Sequence, residues 1–403
     1  MNKHSLPIAA ALAALISFAV GGAAPEPRSA TLPIALDHNR MTVEVIFQGP
    51  SGALKAARAW VDSGGTDLVM AEPLARDLGI DFSARPAGSG QDAFATKVPV
   101  PATSLGGIAL DTEGMFVSVQ PGRLAMPGIH QADCVLPARC LRRLHVVFDY
   151  PARQLVVARP GALTPRGAAV PCRVNPETGL FMVETVIDGE KASLGVDNGS
   201  AGTWISQTRT KAWLERHPDW PKAIGAAGST NFFGFPFETR GDLICLPNIA
   251  IGAVPVGETA VLGLPQGLFD WYSKKSAGTV IGFLGADAIA RFRVEVDFPG
   301  GMTWWEAGPA REVRDLDIVG ITLSAGRDGS FTVAGVVSQN GQPSVQGVQR
   351  GDKLLSVDAL DATNAPMGKV IDALRGKPGD TRVLRLSRAG KTFSVTATVV
   401  HLP

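Results

Sequence analysis

The chain has 403 residues, of which 45% are hydrophobic and 19% are charged, and its formal net charge at pH 7 is +1. This length supports two or three domains with substantial cores, and this composition excludes an intrinsically disordered chain. Lysine and arginine are spread along the sequence without forming a basic stripe, so we expect no nucleic-acid partner. The 46 glycines and 29 prolines predict many turns between short strands.

The N-terminus has the pattern of an export signal. Lys3 and His4 precede an almost wholly apolar run, residues 6–20, and four small residues follow at 21–24. This order is typical of a secretory signal peptide, so we predict a signal over residues 1–24 and a periplasmic or secreted bacterial protein. An uncleaved anchor is the alternative, because the run approaches the about 17–25 residues that span a bilayer. After cleavage we expect no membrane partner.

Two short turns further along the chain have the same context. Residues 62–64 read Asp-Ser-Gly and residues 197–200 read Asp-Asn-Gly-Ser. Each turn follows an apolar run and precedes a segment that can begin a strand or helix. Either turn alone suits an ordinary loop, since Asp, Asn, Ser and Gly dominate turns. The pair instead indicates two lobes that each present one carboxylate.

A repeat downstream of the turns supports this interpretation. Residues 141–151 and 289–299 are similar closing strands, and Asp297 follows Asp149 by 148 positions. The two turn aspartates are 135 positions apart, so the second copy carries 13 additional residues, the difference between 148 and 135. Self-similarity at a fixed offset marks repeated units, so a duplicated lobe with one insertion is the simplest account.

With these motifs, the chain resembles the aspartic proteases of the retropepsin and pepsin clan, in a bacterial two-lobed form. That family has an Asp-Thr/Ser-Gly loop in each lobe and a later hydrophobic-hydrophobic-Gly element beside it. Residues 283–285 (Phe-Leu-Gly) fit this element, with residues 280–282 (Val-Ile-Gly) as the alternative. The chain departs from the pattern at three positions, namely Gly65, Asn198 and Pro137. The resemblance covers about residues 32–308.

The resemblance implies a dyad of Asp62 and Asp197 as the catalytic residues. Two neighbouring carboxylates share a proton, so that one activates a water while the other donates to the scissile carbonyl. Glycine permits the tight turn and close backbone approach, and the residue after each aspartate is expected to lock the dyad across the lobes. We predict the following dyad-supporting residues: Ser63, Gly64, Asn198, Gly199 and Ser200.

Other chemistries lack their sequence signals. The chain has no His-Glu-x-x-His, Gly-x-Ser-x-Gly or Gly-x-x-x-x-Gly-Lys motif, and we expect neither a metal nor a cofactor. His145 falls in an apolar closing strand and is expected to be structural. A different class of function stays open: a catalytically inactive scaffold that binds peptides or partner proteins through the same cleft.

Cysteines, helices and loops give further local expectations. Two disulfides, between Cys134 and Cys140 and between Cys172 and Cys245, are the natural pairing, although four cysteines allow three connectivities. Helices are predicted over residues 73–78, 207–216 and 367–374. The resemblance also implies mobile hairpins at the Gly-rich residues 87–92 and 225–234, for which plain connectors are the alternative. Phenylalanines between residues 232 and 237 are expected to line a subsite or to pack in the core.

The C-terminal part of the chain has a different character. A polar linker is predicted over residues 308–315, followed by strands at residues 318–324, 331–337, 382–387 and 392–400. Residues 347–357 read Gly-Val-x-x-Gly-Asp-x-Leu-Leu-x-Val, which resembles the signature of bacterial PDZ domains. That resemblance implies capture of a protein C-terminus by strand addition at a sheet edge near residues 331–333, with the loop at residues 326–330 holding its carboxylate. A domain that packs on the two lobes and binds no peptide is the alternative. The predicted peptide-binding residues are Gly329, Ser330, Phe331, Thr332 and Val333.

Together these observations predict a mainly β fold with two retropepsin-like β-barrel lobes and an α+β PDZ domain. The predicted boundaries are 32–160 for the first lobe, 168–308 for the second and 316–401 for the PDZ domain. The predicted function is an aspartic-type endopeptidase. Its expected partners are a peptide or protein substrate and a protein C-terminus at the PDZ domain.

Overall fold

A computed structural model describes residues 26–83, 95–122, 124, 132–225, 241–309, 316–326 and 328–403. The predicted signal at residues 1–24, the loop at 87–92, residues 226–234 of the second loop, the phenylalanines between 232 and 237 and most of the predicted linker lie outside the described residues. The described part of the chain is mainly β, as predicted.

Three groups of elements follow one another along the described chain. The first lobe contains β1 (Ser29–Pro33), β2 (Ala35–Asp37), β3 (Arg40–Gln48), β4 (Leu54–Asp62), β5 (Leu68–Ala71), α1 (Glu72–Asp77), β6 (Ala95–Pro99), β7 (Ala102–Leu105), β8 (Ile108–Ala109), β9 (Phe116–Gln120), β10 (Cys134–Pro137), α2 (Ala138–Leu141), β11 (His145–Asp149) and β12 (Gln154–Ala158). The second lobe contains β13 (Ala168–Val174), β14 (Phe181–Ile187), β15 (Glu190–Val196), β16 (Thr203–Ser206), α3 (Gln207–Arg216), β17 (Lys222–Ile224), β18 (Asp242–Ile251), β19 (Val254–Leu264), α4 (Gln266–Ser273), β20 (Gly282–Leu284), α5 (Ala286–Ile289), β21 (Phe292–Asp297) and β22 (Met302–Ala307).

The C-terminal domain, which we define by its elements, follows the two lobes. It contains β23 (Asp317–Ile318), β24 (Ile321–Ala325), β25 (Phe331–Val336), β26 (Ser338–Gln339), β27 (Gln342–Pro343), β28 (Lys353–Val357), β29 (Leu360–Asp361), α6 (Met367–Leu374), β30 (Thr381–Arg388), β31 (Lys391–Thr398) and β32 (Val400–His401). Its main sheet has the order β24-β25-β28-β30-β31, and α6 packs against β28.

The two lobes repeat one strand arrangement. In the first lobe β10 runs parallel to β4 and antiparallel to β5. In the second lobe β20 runs parallel to β15 and antiparallel to β16. Strands β10 and β20 therefore have corresponding neighbours in the two lobes, which is the duplication expected from the sequence repeat.

The closing strands of the two lobes pair with each other. β11 and β21 are antiparallel, with His145 opposite Asp297 and Asp149 opposite Arg293. In the sequence repeat, His145 corresponds to Arg293 and Asp149 corresponds to Asp297, so each pair is the counterpart of the other. The contact between the closing strands therefore has the pattern of a two-fold symmetric interface. Strands β12 and β22 extend this sheet on either side, so that hydrogen bonds join the lobes into one body.

His145 lies inside this interlobe sheet, in agreement with its predicted structural role. Its Nε2 atom is 2.7 Å from Glu295 Oε1, and both side chains are buried. The imidazole ring stacks on Trp304, with 5.7 Å between ring centroids. Arg293 also contacts the Glu295 carboxylate at 2.6 Å, so the buried acid is surrounded by basic groups.

The predicted helices are present with small changes at their ends. They correspond to α1 (Glu72–Asp77), α3 (Gln207–Arg216) and α6 (Met367–Leu374). Helix α4 (Gln266–Ser273) was not predicted, because it is short and buries only Phe269 fully, so it lacks a clear helical apolar stripe. Among the described residues no helix is long and apolar enough to cross a membrane.

The expected disulfides are not formed. All four cysteines are free thiols, and three of them are buried. Cys140 Sγ lies 3.8 Å from Met115 Sδ, and burial raises the pKa of the Cys140 thiol to about 12. Spacing along the chain did not determine pairing here, because both cysteines of the first lobe belong to its apolar core.

Candidate active site

The first turn aspartate stands at the end of a central strand. Asp62 is the last residue of β4, and Pro137 of β10 lies beside it in parallel register. The turn closes through a hydrogen bond from Gly65 N–H to the Asp62 carbonyl oxygen at 3.2 Å. The neighbouring strand is tied to the turn by Ala138 N–H, which donates to the Gly65 carbonyl at 3.1 Å. Strand pairing therefore holds this carboxylate at one fixed place.

The second turn is built in the same way. Asp197 follows β15 directly, and its N–H donates to the Leu284 carbonyl of β20 at 2.9 Å. Ala286 N–H donates to the Ser200 carbonyl at 2.8 Å, which matches the bond from Ala138 to Gly65 in the first lobe. The threading element is thus residues 283–285, and residues 280–282 are not the part that lies beside Asp197.

The departure at Pro137 has a structural reason. At the equivalent place in the second lobe, Gly285 donates its N–H to Thr203 Oγ1 at 3.0 Å. Proline has no N–H, and the first-lobe equivalent of Thr203, at an offset of 135 positions, is Leu68, which has no hydroxyl. A Cβ atom added at Gly285 would lie 2.1 Å from the Gly202 carbonyl oxygen, so only the second lobe requires glycine there.

Two side chains lock the turns to each other across the lobes. Ser63 Oγ donates to the Val196 carbonyl at 2.9 Å and accepts from Asn198 N–H at 3.0 Å. Asn198 Oδ1 in turn accepts from Ser63 N–H at 2.7 Å. Both side chains are almost completely buried. The amide of Asn198 therefore supplies one half of a reciprocal lock, although its Nδ2 atom has no hydrogen-bond partner among the described residues.

Each carboxylate lies against the glycine of the opposite turn. A Cβ atom added at Gly64 would lie 2.4 Å from Asp197 Cγ, and one added at Gly199 would lie 2.4 Å from Asp62 Oδ1. Any other residue at either glycine would separate the turns. Gly65 is constrained as well, since its Cβ atom would lie 2.7 Å from Asp62 Oδ2.

The structure brings the carboxyl groups of Asp62 and Asp197 together, within hydrogen-bonding reach of each other. Burial raises the pKa of both carboxyl groups, and the neighbouring negative charge of Asp197 raises the pKa of Asp62 further. Asp197 Oδ1 accepts from Gly199 N–H at 2.9 Å and from Ser200 N–H at 3.1 Å, which favours its ionised form. Asp62 Oδ1 likewise accepts from Gly64 N–H at 3.0 Å, and the pair titrates as a unit.

Three residues near the dyad were not identified from the sequence. The chain has only two tyrosines, Tyr150 and Tyr272, and the negative charge of Asp197 acts on both, so that burial and this charge raise the pKa of each phenol. Arg40 is fully buried, and the negative charge of Asp197 acts to raise the pKa of its guanidinium group. The low number of tyrosines was the sequence feature that could have drawn attention to Tyr150 and Tyr272. No motif or pattern around Arg40 indicated a role for it.

The predicted peptide-binding residues of the C-terminal domain are placed where a peptide strand cannot be added. Phe331 and Thr332 of β25 pair with β24 on one side and with β28 on the other. Val333 pairs with Leu323, and it accepts from Gly351 N–H and donates to the Asp352 carbonyl. The prediction of a sheet edge at this strand is therefore wrong, because both of its sides are already hydrogen-bonded.

In the described part of the loop before β25, two backbone N–H groups are already hydrogen-bonded within the loop. Gly329 N–H donates to the Gly326 carbonyl, and Ser330 N–H donates to Asp328 Oδ1 at 3.1 Å. A negatively charged Asp328 at the centre of the loop would repel an incoming carboxylate. Its side chain has a lowered pKa because the Ser330 hydroxyl and N–H bind it.

Metal ligands are not gathered at the dyad. Within the described ranges, no group of three or more His, Cys, Asp or Glu residues could hold a metal ion. The expectation of a reaction without metal or cofactor stays a prediction.

Comparisons with known proteins give distant similarity to solved structures alone. No protein-family model and no curated protein matches the chain. Among solved structures, the chain is similar to an aspartic proteinase from Irpex lacteus, with 10% sequence identity and a TM-score of 0.39. The similarity covers 71% of this chain and 99% of that chain. At this level the similarity carries no argument about the site, so its chemistry has to be inferred from its own geometry.

Proposed function

We propose that the chain is an aspartic-type endopeptidase that hydrolyses peptide bonds with the dyad of Asp62 and Asp197. The observation that carries this proposal is the meeting of two carboxyl groups from different lobes, Asp197 buried and Asp62 half-buried, with their turns held by the reciprocal contacts of Ser63 and Asn198. A carboxyl pair that shares one proton can supply both a general base and a general acid.

The proposed reaction uses the unequal environments of the two carboxyl groups. Ionised Asp197 takes a proton from water while the water oxygen bonds to the scissile carbonyl carbon, and Asp62 gives its proton to the carbonyl oxygen. The tetrahedral diol then loses the amine as the C–N bond breaks. Asp197 protonates the departing nitrogen, and a diol hydroxyl returns a proton to Asp62, so the starting state is restored.

Two further properties belong to this proposal. We propose export to the periplasm or outside the cell, from the signal pattern of residues 1–24. We also propose that the C-terminal domain is of the PDZ type, from the motif of residues 347–357. Its Gly351 has φ +93° and Asp352 accepts from Gln349 N–H at 2.9 Å, which supports the structural role expected for this turn.

The direct test is cleavage of a mixed peptide library between pH 3 and 7 by the wild type, Asp62→Asn and Asp197→Asn. We expect each substitution to reduce cleavage by at least about 100-fold, because either one removes an acid or base function. Asp67→Asn is the matched control, since it makes the same change on an exposed carboxylate in the same lobe.

Different outcomes separate the candidate functions. Activity that survives both substitutions would contradict the dyad. No cleavage at any pH by a folded wild type that still binds peptides would favour the inactive scaffold, the alternative class. The departures from the family pattern at Gly65, Asn198 and Pro137 each have a local structural reason that is compatible with an assembled dyad.

A further inference from the structure

A buried polar turn lies between the C-terminal domain and the dyad. It consists of Asp37, His38, Asn39 and Arg40, which connect β2 to β3, and each is at most 8% exposed. His38 and Asn39 both have positive φ, at 49° and 65°, as a tight hairpin turn requires. Turns ordinarily lie at the surface, so the complete burial of four polar residues calls for a reason.

Helix α6 of the C-terminal domain covers one end of this polar turn. Asp37 Oδ1 accepts from Gly368 N–H at 2.7 Å, within the first turn of α6. The first N–H groups of a helix lack partners inside the helix, and a carboxylate there is stabilised by the helix dipole. A Cβ atom added at Gly368 would lie 2.6 Å from Asp37 Oδ1 and 2.7 Å from the backbone nitrogen of His38. The helix and the polar turn therefore fit with no room for a side chain.

The other end of the polar turn begins strand β3, whose neighbour β4 ends at Asp62. β3 pairs antiparallel with β4 as far as Thr42 opposite Trp60, so Arg40 and Asp62 each lie two residues beyond this last pair. Because side chains alternate along a strand, Arg40 shares a sheet face with Thr42, Trp60 and Asp62. Arg40 is fully buried, and one of its Nη atoms lies 3.1 Å from His38 Nδ1.

The electrostatics of Arg40 agree with this position. Burial lowers its pKa to about 9, while the negative charges of Asp37 and Asp197 oppose that shift. The guanidinium therefore stays charged at neutral and acidic pH. His38 is held neutral, since burial and the charges of Arg40 and Arg375 lower its pKa well below the ordinary value.

We propose that Arg40 is a positioning residue for the dyad, and that the docking of helix α6 on the polar turn holds Arg40 in place. The inference deepens the proposed function and rests on it. Through this contact the C-terminal domain would regulate hydrolysis by controlling the ionisation of the two catalytic aspartates, with no ligand-binding groove involved.

The sign of the effect follows from the charges. A cation near a carboxylate favours its ionised form, so Arg40 lowers the pH at which the dyad gains its second proton. The ionisable groups that face the polar turn and the dyad from the surrounding elements are Asp37, His38, Asp62, Tyr150, Asp197, Tyr272, Asp372 and Arg375. Below pH 6, where Asp37 takes up a proton, the charge of Arg40 is less compensated and acts more strongly on Asp197.

The test compares Arg40→Met, Arg40→Lys and Gly368→Ala in the full chain. The readouts are the pH profile of peptide cleavage and a ¹³C NMR titration of the aspartate carboxyl carbons, which does not depend on turnover. We expect Arg40→Met to move the acid limb of the profile and the dyad titration to higher pH by about one pH unit. Arg40→Lys should retain most of the wild-type profile, because it keeps the charge.

Gly368→Ala is the decisive variant, because it lies in the C-terminal domain and changes no charge. We expect it to move the dyad titration in the same direction as Arg40→Met, since its methyl group would push the helix off the polar turn. Gly267→Ala is the control, as a Cβ atom there meets nothing within 4 Å. Circular dichroism confirms that each variant is folded.

The outcomes separate this inference from the proposed function. A dyad titration that is the same in the wild type, Arg40→Met and Gly368→Ala would overturn the inference, even if the wild type cleaves peptides. A wild type that cleaves nothing, but whose dyad titration shifts in both variants, would overturn the proposed function and leave the coupling established. Should Arg40→Met not fold, Gly368→Ala and Arg40→Lys decide the question by the same titration.

Discussion

At the level of single residues, the lock between the two turns joins a serine to an asparagine. Ser63 makes two hydrogen bonds to the opposite turn, to the Val196 carbonyl and from Asn198 N–H. Asn198 makes one with its Oδ1 atom. The geometry of the dyad therefore depends more on the hydroxyl than on the amide, because the hydroxyl both donates and accepts.

We predict that Ser63→Ala destabilises the protein and impairs cleavage. It leaves a buried carbonyl and a buried N–H without a partner, at about 1–3 kcal/mol for each group. A displacement of the dyad by about 1 Å would reduce the cleavage rate about 100-fold. Urea unfolding and peptide cleavage measure the two effects. Ser63→Thr is the control, since it keeps the hydroxyl, and a similar loss in that variant would contradict the explanation.

At the level of elements, strand β20 is closely packed beside the strand that leads to Asp197. Gly195 of β15 lies opposite Phe283, and a Cβ atom added there would lie 2.3 Å from the phenyl ring. The same ring stacks on Trp204, with 4.7 Å between centroids, and contacts Tyr272 at the same distance. An aromatic cluster thus fixes the strand that supports Asp197.

We therefore expect Gly195→Ala to destabilise the protein by about 1–3 kcal/mol, because overpacking forces the ring and strand to move. The matched control is Gly267→Ala in helix α4, where alanine has open space and should be neutral or stabilising by up to about 1 kcal/mol. Equilibrium unfolding in urea compares the two variants. Equal stabilities would show that β20 adapts without cost.

At the level of the whole molecule, the C-terminal domain is attached to both lobes. Ile224 of β17 pairs with Ser338 of β26, so the large sheet of the second lobe continues into the C-terminal domain. Ala223 and Leu243 of the second lobe belong to the same hydrophobic cluster as the core of that domain. Together with the contact of α6 on the first lobe, this attachment makes the described chain one packed unit.

The contact of α6 predicts a pH dependence of stability. Burial raises the pKa of Asp37 to about 6, so its protonated form is favoured by folding. Such a group contributes stability that is complete below its ordinary pKa near 4 and is lost as the pH rises through 6. The loss amounts to roughly 3 kcal/mol for a shift of this size.

Asp37→Asn should remove this dependence, because asparagine keeps the oxygen that accepts from Gly368 and never becomes charged. We expect the stability of the variant relative to the wild type to increase by roughly 3 kcal/mol between pH 4 and pH 7. Urea unfolding at one-unit steps of pH measures it, with Asp67→Asn as the exposed control. A difference that stays constant with pH would mean that Asp37 is ionised without cost.

The sequence by itself determined the mainly β fold, the duplication and the two turns that carry the aspartates. These features are local, since a turn needs glycine and a strand needs an apolar pattern, and a repeat shows at a constant offset. The same local logic predicted helices α1, α3 and α6 close to their observed ends.

Only the tertiary structure decided which distant groups meet. The lock joins residues 135 positions apart, and the bond between Gly368 and Asp37 joins residues 331 positions apart. It also decided that the cysteines stay unpaired and that Phe331 lies in an interior strand. Hydrophobic burial is non-directional, so an apolar pattern specifies that strands pack but not which neighbours they take. The placement of the polar turn under helix α6 and at the start of a strand that neighbours β4 follows from strand pairing and domain docking, which no segment of the sequence encodes alone.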